Sequence, residues 1–248
     1  MRSILSVVFA AASFLPAVAV AASPPPAPVL VELFTSEGCS SCPPAETVLE
    51  RLAREQPIAG VRVVAIGEHV DYWDGPEWRD RYASPEFSRR QQRYARVLPS
   101  SIYTPQAVID GRRQVVGGDE RSLRAAIVES ARRPRGTVTL AADAGREPRT
   151  FRVDASWAGG VEADVYLATV EHGSTSAVTG GENAGRTLRH TPLARTLVKL
   201  GTGKGTFRGS FTAPADPAPG GAREVVVFVQ QRGQGAVVAT GVAPLPDA

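Results

Sequence analysis

Cysteine is nearly absent from this chain of 248 residues, since Cys39 and Cys42 are the only two. Small secreted domains that lack a sufficient core are usually held by several disulfides. Two cysteines in one short motif cannot provide such a framework, because a bridge across so few residues constrains little of the unfolded chain. A packed core must therefore hold the fold, and the hydrophobic content of 43% is ordinary for a globular protein.

Histidine and net charge are also scarce. The three histidines, His69, His172 and His190, follow no metal-ligand spacing, and two thiolates would need further ligands to hold copper or zinc. The sequence therefore predicts no metal site. The formal net charge is +3, and loss of Arg2 with a leader would lower it by one. So small a charge indicates neither nucleic acid nor acidic lipid as a partner.

The N-terminal segment has the features of a secretory signal. Arg2 precedes an apolar run over residues 4–15, and small residues at 17–21 suit a cleavage site. We predict a signal peptide at residues 1–22 and a periplasmic or secreted mature chain. A membrane anchor is the competing interpretation, but Pro16 and the small residues shorten the apolar run. No stable membrane anchor is predicted.

The periodicity of the remaining chain predicts two domains. Over residues 27–133, strand-like and helix-like stretches alternate, which is typical of an α/β domain. Over residues 136–245 the helical spacing disappears, and an alternation of period two predicts a smaller antiparallel all-β, sandwich-like domain.

The two cysteines lie where a strand is predicted to turn into a helix. The apolar run at residues 29–34 predicts a buried strand, and Pro43 suits the first turn of a helix that begins at Cys42. Backbone amides and the helix dipole at such a position stabilise a thiolate, so the pKa of a thiol there can fall from about 8.5 to about 3.5–7.5. Cys42, one helical turn after Cys39, can resolve a mixed disulfide.

Four segments make the chain similar to a family of secreted thioredoxin-like proteins of unknown function within the thioredoxin superfamily. They are residues 32–44 with the Cys-Ser-Ser-Cys motif, residues 69–74, residues 103–111 with Thr-Pro-Gln, and residues 181–190. The resemblance covers most of the mature chain. It implies an α/β thioredoxin-like domain that is followed by the smaller β domain.

The resemblance also implies roles for individual residues. Pro105, which follows Thr104, matches a cis-proline that presents backbone to an extended substrate. A trans proline that opens an edge strand is the alternative. Glu32 matches a buried carboxyl that accepts a proton as the resolving thiol attacks. The turn after Glu32 is one residue longer and glutamate replaces the usual aspartate, so a strand-edge glutamate that points to water fits equally well.

Polar and aromatic residues follow the second predicted strand. His69, Tyr72 and Trp73 lie at the end of the sheet where α/β proteins place their sites, so we predict that they line a substrate groove with Thr104. Aromatic closure of the core explains the segment equally well. Four polar residues occur later in the chain: Asn183, Arg186, Arg189 and His190. They could contact a partner or the first domain, and a polar loop of the β domain explains them equally well.

Together these patterns favour an exported thiol-disulfide oxidoreductase. Cys39 would exchange with protein thiols or disulfides, Cys42 would resolve the mixed disulfide, Pro105 would shape the substrate site and Glu32 would move a proton. No cofactor beyond the cysteine pair is required, but a redox partner protein must reset it. The alternatives are a non-enzymatic binding or assembly module with a thioredoxin-like fold and, for the cysteines alone, an inert structural disulfide. Ser40 and Ser41 give no sign of the direction of the reaction.

Overall fold

The computed structural model describes residues 25–142, 149–190, 192–213 and 223–245, so the predicted signal peptide at residues 1–22 lies outside the described residues. Three α-helices and thirteen strands lie within those ranges. The helices are α1 (Cys42–Glu55), α2 (Pro85–Val97) and α3 (Glu120–Ala131). The strands are β1 (Ala27–Thr35), β2 (Val61–His69), β3 (Gln106–Ile109), β4 (Arg113–Val116), β5 (Thr137–Ala142), β6 (Thr150–Ser156), β7 (Glu162–Glu171), β8 (Ser174–Ala177), β9 (Thr187–His190), β10 (Leu193–Lys204), β11 (Thr206–Thr212), β12 (Arg223–Gln231) and β13 (Val237–Pro244).

The helices begin at the residues that the sequence indicates. Ser84 caps α2 by accepting a hydrogen bond from the amide of Glu86 at 3.2 Å, and Asp119 caps α3 by accepting one from the amide of Ser122 at 3.1 Å. Such side-chain acceptors satisfy amides that have no partner within the helix. Prolines occupy the first turn of α1, where a missing N–H costs nothing.

Eight strands form one mixed sheet in the order β13-β12-β7-β10-β2-β1-β3-β4. β1 pairs in parallel with β2 and antiparallel with β3. β10 joins β2 at a single point, where Leu193 lies beside Gly67. The amide of Gly67 donates to the carbonyl of Pro192 at 2.7 Å. Three further strands form a second sheet in the order β11-β6-β5, and β8 and β9 form a hairpin.

The predicted fold class, an α/β thioredoxin-like domain followed by a smaller all-β sandwich, is wrong. The described chain is mainly β, and β7, β10, β12 and β13 from its second half extend the sheet that β1–β4 begin. The two halves can share one sheet because residue 67 is a glycine. A Cβ at this position would come within 2.7 Å of the Pro192 carbonyl oxygen. Without a side chain at that position, β10 can approach the edge of β2. The predicted boundary between residues 133 and 136 falls between α3 and β5 and stays a prediction.

The core lies in layers on both faces of the large sheet. α1 and α3 pack against Val31 and Leu33 of β1 on one face, while Phe87 of α2 packs against the opposite face near Leu30. The three-stranded sheet covers the far half of the large sheet, where Val153 of β6 joins a cluster with residues of β7 and β12. In the part of the chain that the structure describes, none of the helices has the length and apolar character needed to cross a bilayer.

Gly67→Ala tests whether the close approach of β10 to β2 joins the two halves. We expect the free energy of unfolding to fall by about 1–3 kcal/mol, because the new methyl group would meet backbone rather than a movable side chain. Gly75→Ala is the matched control, since a Cβ at Gly75 meets nothing within 4 Å. Urea unfolding of both variants measures the difference, and equal stabilities would contradict the tight junction.

Candidate functional site

The Cys-Ser-Ser-Cys turn connects the end of β1 to the start of α1. The amide of Cys39 donates to the carbonyl of Ser36 at 3.2 Å, and the amide of Cys42 donates to the carbonyl of Cys39 at 3.2 Å. This tight turn brings the two cysteine Cα atoms to 5.4 Å, and their sulfurs form a disulfide. Such a separation is usual for a disulfide. The predicted strand-to-helix position of the motif is confirmed.

The disulfide is covered, whereas the residues between the cysteines are not. Cys39 exposes 1% of its surface and Cys42 exposes none, although Ser40 and Ser41 are exposed. The hydroxyl oxygen of Ser41 lies 3.4 Å from the sulfur of Cys39. The exposed part of the motif is therefore the Ser40–Ser41 pair, and Ser41 covers the sulfur of Cys39.

The β8–β9 hairpin holds the motif in place through Glu182 and Asn183, which lie between its strands. The side-chain amide of Asn183 donates to the carbonyl of Glu37 at 2.8 Å and to the carbonyl of Cys39 at 3.0 Å. Glu182 accepts a hydrogen bond from the amide of Ser40 at 2.9 Å. Of the two interpretations for Asn183, contact with the first half of the chain is confirmed.

The loop with Pro105 lies against the start of α1. The peptide bond between Thr104 and Pro105 is cis, as predicted. Gly117 follows β4, and a Cβ at this glycine would lie 3.2 Å from the Cβ atoms of both Ala45 and Pro105. Since Ala45 is in the first turn of α1, the loop and the cysteine motif are near neighbours.

Trp73 lies near both the turn before Cys39 and the loop that contains Thr104 and Pro105. Its indole N–H donates to the hydroxyl of Thr104 at 2.8 Å, and its Cβ would lie 3.1 Å from a Cβ at Gly38. Trp73 and Tyr72 are 37% and 45% exposed, so both present apolar surface to solvent. Tyr72 donates its hydroxyl hydrogen to Gln91 at 3.0 Å, and partial burial raises the pKa of Tyr72. Of the predicted site residues, Trp73 thus contacts the turn before Cys39 and joins it to Thr104, Pro105 lies near the start of α1, and Tyr72 precedes Trp73 in the chain.

Glu32 lies on the other face of the sheet. It is fully buried, it pairs with the guanidinium of Arg90 from α2, and it accepts a hydrogen bond from Tyr94 at 2.5 Å. α1 packs on the opposite face, against the neighbouring positions of β1. The structure therefore does not bring Glu32 to the cysteines, and we do not include it in the redox chemistry.

A buried cluster of charged groups lies next to the motif, and sequence reasoning missed it. Glu37 is two residues before Cys39, and Glu46 is one helical turn after Cys42. His190, at the end of β9, places one ring nitrogen 2.9 Å from Glu46 and the other 3.0 Å from Glu37. Thr35 donates to the second oxygen of Glu46 at 2.6 Å. All of these side chains are buried.

The charge state of His190 follows from these contacts. Burial alone would lower the pKa of His190, but the hydrogen bonds and charges of Glu37 and Glu46 outweigh it and raise the pKa to about 10. His190 is therefore an imidazolium cation at neutral pH, and it partly neutralises two carboxylates. The sequence indicated only that His190 belongs to a polar segment late in the chain. Nothing in its spacing indicated contact with Glu46, 144 positions earlier, or with Glu37, 153 positions earlier.

His69 lies inside this cluster rather than beside Trp73. It exposes 1% of its surface, its ring lies 4.9 Å from that of His190, and its Nδ1 is 2.6 Å from Asp80. Burial would raise the pKa of Asp80, but the charge and hydrogen bond of His69 lower it. The structure does not bring His69 to the exposed groove.

Part of this cluster has the residue types of a metal site. Among the described residues, Glu46, His69 and His190 form the one set of metal-ligating side chains whose ligand atoms all lie within 4.8 Å of one another. Both nitrogens of His190 contact carboxylates, and Nδ1 of His69 contacts Asp80. These contacts make the cluster a hydrogen-bonded network of polar and charged groups.

Comparison with known proteins gives a family but no activity. No curated protein matches the chain. The crystal structure of a protein from Agrobacterium tumefaciens, determined by a structural genomics consortium, is similar, with a TM-score of 0.70 and 27% sequence identity over 92% of this chain and 98% of that one. A family model described as "Protein of unknown function (DUF1223)" matches residues 30–230. Because this match spans most of the chain, including the cysteine motif, the cis-proline loop and His190, the chain belongs to the DUF1223 family.

Proposed function

We propose that the protein is a thiol-disulfide oxidoreductase that uses the Cys39–Cys42 pair on protein thiols or disulfides. The observation that carries the proposal is the position of the disulfide, at the start of α1 and beside the cis Thr104–Pro105 bond. A cysteine at the start of a helix is placed for nucleophilic chemistry. The turn and the proline loop resemble, as local motifs, the redox sites of the thioredoxin superfamily.

The reaction needs only sulfur chemistry. In one direction a substrate thiolate attacks the sulfur of Cys39, a new S–S bond forms, and Cys42 leaves with the electron pair and takes up a proton. A second substrate thiol loses its proton and displaces Cys39, which completes the transfer of two electrons to the protein. In the other direction the reduced pair performs the reverse steps on a substrate disulfide. Cys39 is assigned as the exchanging sulfur in both, because it precedes α1 and lies beside the exposed Ser41, whereas Cys42 is the first residue of the helix.

Substrate access requires a local opening, because Cys39 exposes only 1% of its surface. The contacts that hold the turn closed are the hydrogen bonds of Asn183 to Glu37 and Cys39 and that of Glu182 to Ser40. The exposed rings of Tyr72 and Trp73, with Thr104 and Pro105 behind them, supply the surface on which a substrate polypeptide would lie. An exposed aromatic surface of this kind is common at binding sites.

Export to the periplasm or the medium is part of the proposal. The support is the sequence of residues 1–22, which has the pattern of a secretory signal. An oxidising compartment lets a paired disulfide persist. A redox partner protein in that compartment would reset the pair after each cycle.

A non-enzymatic binding or assembly module is the second candidate, and one observation favours it. Both cysteines are buried, which is also what an inert structural bridge would show. In that case function would depend on the surface of Tyr72 and Trp73 and would survive the loss of Cys39.

Trapping distinguishes the two candidates. In Cys42→Ser the remaining thiol of Cys39 should attack oxidised glutathione and keep the glutathione adduct, because no resolving thiol is present. Cys39→Ser is the matched control, since it keeps only Cys42, which in this proposal resolves the mixed disulfide and does not exchange with substrate. Mass spectrometry of the folded proteins measures the adduct. An unmodified Cys42→Ser protein would favour the binding module.

A further inference from the structure

We propose that the reduced Cys39–Cys42 pair acts as an electron donor, so that the protein reduces disulfide bonds in its substrates. The inference rests on the proposed function and adds its direction. It comes from two features of the motif: three of its four backbone amides are already occupied, and one of them is bonded to the ionised carboxylate of Glu182.

The amides that would stabilise a thiolate have other partners. Cys39 donates its amide to the carbonyl of Ser36 at 3.2 Å, and Cys42 donates to the carbonyl of Cys39 at 3.2 Å. Ser40, next to Cys39, donates to the carboxylate of Glu182 at 2.9 Å. Three of the four amides of the motif are thus occupied. The sulfur of Cys39 has a neutral hydroxyl beside it, that of Ser41, at 3.4 Å.

Glu182 places a negative charge where a thiolate would need a positive one. Hydrogen bonds from the side chain and the amide of Ser40 lower the pKa of Glu182, so this carboxylate is ionised at neutral pH. It lies at the start of α1, where the positive end of the helix dipole would otherwise favour an anionic sulfur. Arg186 is a nearby cation, but it donates to the side-chain oxygen of Asn183 at 2.6 Å rather than to Glu182.

The cation of the buried cluster has both of its N–H donors engaged. The ring nitrogens of His190 lie 2.9 Å from Glu46 and 3.0 Å from Glu37. His69, beside them, is hydrogen-bonded to Asp80. A thiolate of either cysteine would therefore find no unoccupied donor on His190.

An unfavourable thiolate sets the direction of exchange. Strongly oxidising cysteine pairs owe their potential to a stabilised reduced form. Here the surroundings oppose the ionised reduced form, so the disulfide is the stable state and the reduced pair gives up electrons readily.

The reducing step balances as follows. The thiolate of Cys39 attacks one sulfur of a substrate disulfide and forms a mixed disulfide, while the other substrate sulfur leaves and takes up a proton. Cys42 then loses its proton and attacks the sulfur of Cys39, which forms the Cys39–Cys42 bond and releases the second substrate thiol. Two electrons pass from protein to substrate. A dithiol protein must return two electrons and two protons to the pair after each cycle.

Glu182→Gln tests this inference, because the neutral isostere removes the charge and keeps an oxygen acceptor for Ser40. We expect the equilibrium of the pair with glutathione, measured at a pH above the alkylation midpoint of Cys39 where the thiolate is populated, to shift toward the reduced protein by about two- to fivefold. For a two-electron couple this is about 10–20 mV. The pH midpoint for alkylation of Cys39 in the reduced protein should fall in the same variant. Glu55→Gln, at the far end of α1, is the matched control and should change neither quantity.

The wild-type equilibrium gives the second readout. A wild-type pair that is more reducing than glutathione, together with the shift in Glu182→Gln, supports the electron donor. A pair that is more oxidising than glutathione, or a Glu182→Gln variant identical to wild type, would overturn it while leaving an oxidoreductase in place. A disulfide that does not equilibrate with glutathione in the folded protein would overturn both this inference and the proposed function.

Discussion

Arg90→Met is expected to lower the free energy of unfolding by about 3–5 kcal/mol. Arg90 is fully buried, and its guanidinium pairs with Glu32 and lies 3.5 Å from Glu68. Burial and the charge of Glu32 raise the pKa of Glu68 well above its ordinary value. Removing this cation leaves Glu32 buried without its ion-pair partner, and breaking a buried pair in this way is strongly destabilising.

Urea unfolding of Arg90→Met at pH 7 measures the loss, and Arg96→Met on the same helix is the control. Arg96 is exposed, so its replacement should change stability by less than about 1 kcal/mol. If the two variants were equally stable, the ion pair between α2 and β1 would not hold the sheet and helix together.

His190→Gln is expected to cost about 3–5 kcal/mol of stability below pH 6.5 and to remove a pH dependence. The pKa of His190 is about 10 in the folded protein and 6.5 ordinarily. A pKa that folding raises contributes stability that is complete below the unfolded value and is lost as the pH rises through the folded value. The stability gap between wild type and variant should therefore narrow steadily from pH 6.5 toward pH 10.

His172→Gln is the control for this measurement, because His172 is a partly exposed histidine whose contact with Glu224 spans 3.3 Å. Chemical unfolding at several pH values between 6 and 9 gives the gap for each variant. A gap for His190→Gln that stays constant over that range would show that His190 is not held as a cation by Glu37 and Glu46.

The local elements of the fold were predictable because each depends on a few adjacent residues. The apolar run of β1, the spacing of Ala45, Leu49 and Leu52 on α1, and the cap at Asp119 all lie within single elements. The assembly of the strands was not predictable in this way. Alternation of period two identifies a strand but not its partner. The contact of Gly67 with Pro192 makes one sheet out of two halves, and it joins residues far apart in the chain.

The candidate site was predictable only in part, for the same reason. The cysteine motif and the cis-proline each carry a local signal, and the structure brings them together. Glu37 and Glu46 flank the motif, but only folding shows that they share His190, which is more than 140 positions away from each. Glu32 was included on the family resemblance, despite a turn one residue longer, but strand alternation places it on the face of β1 opposite to α1.

The rate at which the reduced protein cleaves a fluorogenic disulfide peptide tests the central claim most directly. Wild type should reduce the peptide in step with oxidation of Cys39 and Cys42, and Cys39→Ser should fall to the background rate of the peptide alone, because the attacking sulfur is gone. A wild-type rate equal to that of Cys39→Ser would contradict the assignment of a redox role to this pair.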